Sequence, residues 1–376
     1  MHTRWLVVVA AAGACVPVPP FRDDAQPMPP QQAVLLNVNR ETGETASTSD
    51  APILYAVRFS DRGVRMPEAI IVEGEDVLQS GVCPYESGVG ITVYPMFSAS
   101  PGYVGTDPLN TLSVDWAGPV IARVTVGWSS KYTCNGAVQE ASGTSTFTMF
   151  PNARIVRHDT AKPATSALVI DGVQCGCLKD DNFNFSSFWA FQPTTQTVLR
   201  DGTAWTDGTS ALGCAVYPHH TIGVGFSDPT HARLFTGTGA AAFTYDWEHT
   251  ATTLPRDERQ TTTAILLSKE TQVSRCGDVT AELLDPQITI GGVQIGTDDS
   301  GIYPGPARQT TPYQIRSPVP LPRGFAVSLD LGAVPVVESS SPVTGAWYAA
   351  QVEGDRVLLW FRDGLAVGET ITIDPR

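Results

Sequence analysis

Six cysteines, a group of histidines and one run of aromatics are the residues whose types and spacing could do chemistry. Cys175-Gly-Cys177, Cys214 and His219-His220 are ligand types that zinc accepts. Their spacing matches no closed four-ligand pattern, and in an exported chain such cysteines more often form disulfides. With Cys83, Cys134 and Cys276 they make an even set of six. Cys83 and Cys134 stand alone in the first segment and are expected to pair. Cys175, Cys177, Cys214 and Cys276 then pair among themselves; Cys175 and Cys177 alternate along a strand and should reach different partners. A weak calcium reading rests on Asp180, Asp181, Asn182 and Asn184, and on Asp298-Asp299. Calcium needs six to eight oxygens, and the EF-hand spacing is absent. Caps on polar loops are the ordinary use of such residues, so no metal and no cofactor is assigned.

His219, His220, His231 and His249 fall in one segment, with Asp228, Asp246 and Glu248 nearby. A hydrolase needs a base oriented by a carboxylate, and nothing in this spacing demands one. The chain has no Gly-x-Ser-x-Gly elbow, no His-Glu-x-x-His and no phosphate loop. Gly237-Thr-Gly239 followed by three alanines mimics a dinucleotide loop but opens no helix. The catalytic residues are therefore unknown. Phe183, Phe185, Phe188, Trp189 and Phe191 form the densest aromatic cluster, with Trp205 and Tyr217 following. Phe183, Phe185, Trp189 and Phe191 share parity, which argues for one face and a sandwich core. Exposed aromatics on a β-face also stack on sugar rings, and Trp189 or Trp205 is the choice if one proves exposed.

The elements that must position these residues are strands. Ile53, Tyr55, Val57 and Phe59 alternate with Leu54, Ala56, Arg58 and Ser60, and Val120, Ala122, Val124, Val126 and Trp128 share one face. Ile222, Val224 and Phe226, then Val327, Leu329 and Leu331, then Ile371 and Ile373 repeat the period of two that marks half-buried strands. Asn135-Gly136, Asp171-Gly172, Asp201-Gly202, Asp207-Gly208 and Asp363-Gly364 are turn dipeptides. Glu353-Gly354-Asp355-Arg356 is expected to be a two-residue hairpin turn between Trp347–Val352 and Val357–Phe361. Asp278 to Leu284 could make a short helix; Ala264 to Glu270 reads as helix or strand.

The N-terminus predicts export. Arg4 precedes the apolar run Trp5 to Ala12, then Gly13, Ala14 and Cys15. This is the n-region, h-region and small-residue cut of a signal peptide. The run is too short to span a bilayer, which needs roughly 20 residues. Pro17, Pro19, Pro20, Pro27, Pro29 and Pro30 follow and favour an extended stalk.

Ala12-Gly13-Ala14-Cys15 resembles the lipobox of bacterial lipoproteins. That resemblance implies a diacylglycerol on Cys15 and a cut just before it. The box carries Ala12 where the family usually has Leu, and it also satisfies the Ala-x-Ala rule of ordinary signal peptidase. Lipidation accounts for the odd member of seven cysteines. Val16 in place of Asp after the cysteine implies the outer membrane in a Gram-negative host. Tyr132-Thr133-Cys134 resembles the Tyr-x-Cys of immunoglobulin-type domains, with Cys83 as the implied partner, although Trp116 and Trp128 lie too far along to be that family's core Trp. The segment from about 286, ending Leu365 to Ile373, resembles bacterial Ig-like modules.

The chain has 376 residues and a net charge of −14. An acidic surface repels phosphate backbones and anionic headgroups alike. Nucleic acid is thereby excluded as a partner, and contact with a membrane is left to the lipid. The fold expected is all-β, with two or three β-sandwich (Ig-like) domains after a signal peptide over 1–14 and a lipid-anchored Pro-rich linker over 15–33. The domains are placed at 34–155, at 156–284 with four cysteines, and at 285–376. The expected role is non-enzymatic: binding, adhesion or structure in the cell envelope, with a glycan or another envelope protein as partner. A secreted or envelope carbohydrate-active hydrolase is the alternative.

Overall fold

A computed structural model describes residues 35–48, 54–59, 67–72, 75–76, 105–106, 111–134, 137–163, 168–170, 173–174, 187–192, 197–201, 212–216, 221–226, 232–236, 243–247, 252–254, 258–267, 287–321, 324–331, 333–341 and 347–375. Among them the regular elements are strands, and the architecture is all-β.

The first sheet orders Leu36–Val38, Thr45–Ser47, Tyr55–Phe59, Pro67–Val72 and Glu75–Asp76 as an antiparallel meander. It packs on a ten-stranded sheet. At the centre of that sheet Ala122–Cys134 pairs with Ala137–Met149, which pairs with Arg154–Pro163, which pairs with Glu258–Leu267. The period of two explains the packing. Tyr55, Val57 and Phe59 are buried on one strand, and Ala122, Val124 and Val126 on another. The Phe59 and Phe147 rings meet edge to face at 5.4 Å. The buried Tyr55 hydroxyl donates to the Phe150 carbonyl at 2.6 Å.

The domain boundary expected between residues 155 and 156 falls inside the strand Arg154–Pro163, which follows a turn at 151–153. Through its neighbour Glu258–Leu267 this strand carries the same sheet on to Thr221–Phe226, Leu212–Val216, Ser187–Gln192 and Thr197–Asp201. Ala264 to Leu267, which the sequence leaves open between helix and strand, is strand; residues 278–284 lie outside the described residues.

Residues 287–375 form a two-sheet sandwich. One sheet orders Val293–Ile295, Ile288–Ile290, Tyr313–Arg316, Ile371–Asp374 and Val336–Ser339; the other orders Tyr303–Pro304, Phe325–Asp330, Arg356–Phe361 and Tyr348–Glu353. The expected hairpin is present, with Glu353 opposite Arg356 and Gly354 at φ +59. A positive φ is cheap for glycine and strained for a residue with a Cβ.

The second of these sheets is buried on both faces. Phe325, Val327, Leu329, Val357, Leu359 and Phe361 fill the sandwich core. The alternate residues Ala326, Ala349, Leu358 and Trp360 instead join Val120, Ile121, Phe150 and Val156 in a second core. The first and last segments therefore meet in an apolar seam. Gln351 closes its margin: its carbonyl oxygen accepts from the backbone N–H of Val120 at 2.9 Å and of Ile121 at 3.0 Å, and its amide donates to the Ile121 carbonyl at 3.2 Å. These are the bonds a neighbouring strand would make, supplied here by one side chain. Gly301, at φ +72, lies so close that a Cβ there would sit 2.6 Å from Cγ2 of Val156.

Candidate functional site

Beyond the seam, the outer face of the large sheet turns polar. The change begins at a β-bulge. Val114 pairs with Val124 and Trp116 with Arg123, so Asp115 is the extra residue on its strand. Bulges re-aim side chains, and this one turns the Asp115 carboxylate along the outer face. Oδ1 accepts from the Ser113 hydroxyl at 3.0 Å and Oδ2 from the Thr125 hydroxyl at 2.6 Å. The Thr125 and Thr146 hydroxyl oxygens lie 3.2 Å apart. Thr125 has one hydrogen, which goes to the carboxylate, so Thr146 donates to Thr125. The result is a polarised chain of hydroxyls ending on Asp115. Arg123 flanks it, 3.7 Å from Oδ2, with its guanidinium 5.0 Å above the Trp116 ring.

The register extends this row across the sheet. Ser113 is opposite Thr125, Thr125 opposite Thr146, and Thr146 opposite His158. His158 Nε2 lies 3.7 Å from Oδ2 of Asp299, which belongs to the last sandwich. In the next row Thr111 is opposite Gly127, and Gly127 is opposite Thr144. A Cβ at Gly127 would stand 2.7 Å from the Thr111 hydroxyl oxygen, so the Thr111 side chain lies over the glycine and fills the space a side chain there would need. Thr111, Ser113 and Thr144 are exposed, and Thr146 is buried beside them.

Asp298 acts as a loop cap. Its carboxylate accepts from the backbone N–H of Ser300 at 2.8 Å and of Ile302 at 3.1 Å. Burial raises its pKa above the usual carboxylate range; the two backbone donors and the charge of Arg123 pull the other way. No group of three or more His, Cys, Asp or Glu among the described residues could hold a metal ion.

Of the residues singled out from the sequence, Trp189 lies on Ser187–Gln192, opposite Cys214 on one side and Asp201 on the other. Cys214 is also opposite Gly223, and Cys134 ends its strand opposite Ala137. Asp246 is opposite Gln174 and Arg233. Cys15, Cys83, Cys175, Cys177, Cys276 and Trp205 lie outside the described residues, as do His219, His220, His231 and His249. The row around Asp115 was not among the sequence candidates. Its signal was the alternation Thr144-Ser-Thr146-Phe-Thr148, which places hydroxyls on one face.

No protein-family model and no curated protein sequence matches the chain. Among solved structures, the galactose 1-epimerase from Lactobacillus acidophilus NCFM aligns over 60% of this chain and 94% of its own, with 9% identity and a TM-score of 0.36. A likeness of that degree transfers neither fold nor activity.

Proposed function

We propose that the chain is an exported lipoprotein of the bacterial cell envelope, held by a lipid on Cys15, with a non-enzymatic role in binding or structure. The observation that carries this reading is the lipobox-like Ala12-Gly13-Ala14-Cys15, preceded by a short apolar run and followed by the Pro-rich stretch to residue 33. Lipidation also leaves six cysteines for disulfides in an oxidising compartment, Cys83 with Cys134 among them. Val16 favours the outer membrane in a Gram-negative host. A body of tightly packed β-sheets suits presentation on such a tether, because it holds its surfaces fixed at the end of an extended stalk.

Metabolic labelling with a clickable palmitate analogue tests the anchor. The wild-type chain is expected to carry label in the membrane fraction, and Cys15→Ser to abolish both label and membrane retention. An unlabelled wild-type chain beginning at Cys15 would overturn the reading. Intact mass without reduction should show three disulfides' worth of lost hydrogen.

A further inference from the structure

We infer that the contact between the last sandwich and the large sheet is a pH-sensitive latch: the loop 298–302 grips the sheet more tightly in mildly acidic than in mildly alkaline solution, with His158, Asp298 and Asp299 as the groups involved. The inference goes beyond the envelope role proposed above and does not rest on it.

The loop is a preformed piece. The Asp298 N–H donates to the Ile302 carbonyl and the Gly301 N–H to the Asp298 carbonyl, both at 2.8 Å. The Asp298 carboxylate caps the Ser300 and Ile302 N–H groups. The far end of the loop is anchored in the second core, to which Ile302, Val156 and Trp360 all belong. At Gly301 there is no room for a Cβ against Val156, and Nη2 of Arg154 would lie 3.4 Å from such an atom. Two carboxyl groups are therefore carried onto a face that bears Arg123, Arg154 and His158. Arg154, Val156 and His158 alternate along one strand and so share that face. Arg123 lies two strands away in the same sheet, because Thr148 is opposite both Arg123 and Val156. His158 Nε2 stands 3.7 Å from Asp299 Oδ2 across the contact.

The groups around His158 set the sign of the response. Asp299 faces it from the loop, with Asp298 next in the chain. Thr146 and Thr261 are its neighbours on the two adjacent strands, and neither titrates. On its own strand Arg154 holds its guanidinium 5.8 Å from the Phe150 ring centre. Arg123 is drawn over Trp116 and acts on Asp298. Histidine is the side chain that gains or loses charge between about pH 5 and 8. A charged imidazole attracts Asp299 and favours the docked loop over the released one; a neutral imidazole does not. The Asp299 side chain is 66% exposed, so this pair alone contributes little. Asp298 acts on the same loop in the same direction. Burial raises its pKa above the usual carboxylate range, so the docked loop takes up that proton more readily than a solvated one and gains stability as pH falls through the raised value. Protons on both sides of the contact thus favour closure.

The test is hydrogen exchange of the full chain without denaturant, at about pH 5.5 and about pH 8, the span over which histidine titrates. Rates over 298–305 are corrected for intrinsic exchange and read as opening of the loop. Lowering the pH is expected to suppress opening about threefold more in the wild type than in His158→Gln, the effect of one partly exposed ion pair. Glutamine keeps a neutral hydrogen-bonding side chain at both pH values. Asp299→Asn should remove the same part of the response, and the double variant should lose no more than either single one, because both substitutions break one interaction. Asp299 is exposed, so its variant carries the test if His158→Gln fails to fold. A pH response left unchanged by both His158→Gln and Asp299→Asn would overturn the inference. So would a wild-type loop that, relative to the double variant, opens more readily at the lower pH.

Discussion

Strands Phe325–Asp330 and Arg356–Phe361 are buried on both faces, whereas Thr111–Ala117 and residues 122–127 turn one face toward the first sheet and hydroxyls outward on the other. The sequences differ accordingly. Val357-Leu-Leu-Trp-Phe361 is a continuous apolar run, while Val124-Thr-Val126 alternates. Continuous runs are the mark of strands covered on both sides. In this chain the second cover is the first segment itself, reached across more than two hundred residues of sequence. The seam belongs to the two-sided sheet, and the hydroxyl row ending on Asp115 to the sheet face where that seam ends.

Breaking the seam should have the largest effect. Trp360 is fully buried there, its ring 6.1 Å from that of Phe150. Trp360→Ala is expected to destabilise the chain by about 3–5 kcal/mol, read from urea denaturation. A loss close to zero would mean that the outer face of this sheet does not depend on the first segment. Gln351→Ala leaves two buried N–H groups without their acceptor and should cost about 2–3 kcal/mol. Its amide-proton exchange at Val120 and Ile121 should accelerate, while the core of the last sandwich keeps its protection.

Smaller changes sharpen the contrast. Tyr55→Phe removes the donor to the Phe150 carbonyl. Burial holds that hydroxyl far above its ordinary pKa, so it donates at every accessible pH. The expected loss is about 1–2 kcal/mol, without pH dependence between neutral and mildly acidic conditions.

Asp298→Asn is the subtlest. The folded pKa of Asp298 is raised, so the folded chain binds a proton more readily than the unfolded one. Its contribution to stability therefore grows as pH falls through the folded pKa, and levels off below the unfolded value. Asparagine keeps an acceptor for Ser300 and Ile302 but cannot titrate. Melting temperatures of wild type and variant, compared across that window, should diverge in favour of the wild type toward acid. Parallel profiles would show that burial does not govern this carboxyl.

Much of this architecture is legible in the residues. Tyr55, Val57 and Phe59 announce their buried face, and Gly354-Asp355 announces its hairpin. The seam is less legible. The run Val357 to Phe361 signals two-sided burial, but no local pattern says which surface supplies the second cover, because Val120 and Ile121 read like any other strand start. The domain boundary expected after residue 155 falls within the strand Arg154–Pro163, because a turn containing Pro151 and Asn152 looks the same whether the chain leaves a sheet or folds back onto it. The Asp115 row escaped notice for a similar reason. Serine and threonine on a strand are ordinary surface residues until register aligns them, and a bulge shifts that register by one residue without a sequence marker.

Hydrogen exchange under increasing urea, followed by mass spectrometry, tests most directly whether the first and last segments are one cooperative body. Peptides covering 118–126 and 348–361 are predicted to lose protection together, at one urea concentration, in wild type. Separate transitions, with 348–361 still protected after 118–126 has exchanged fully, would contradict the seam as the element that joins them.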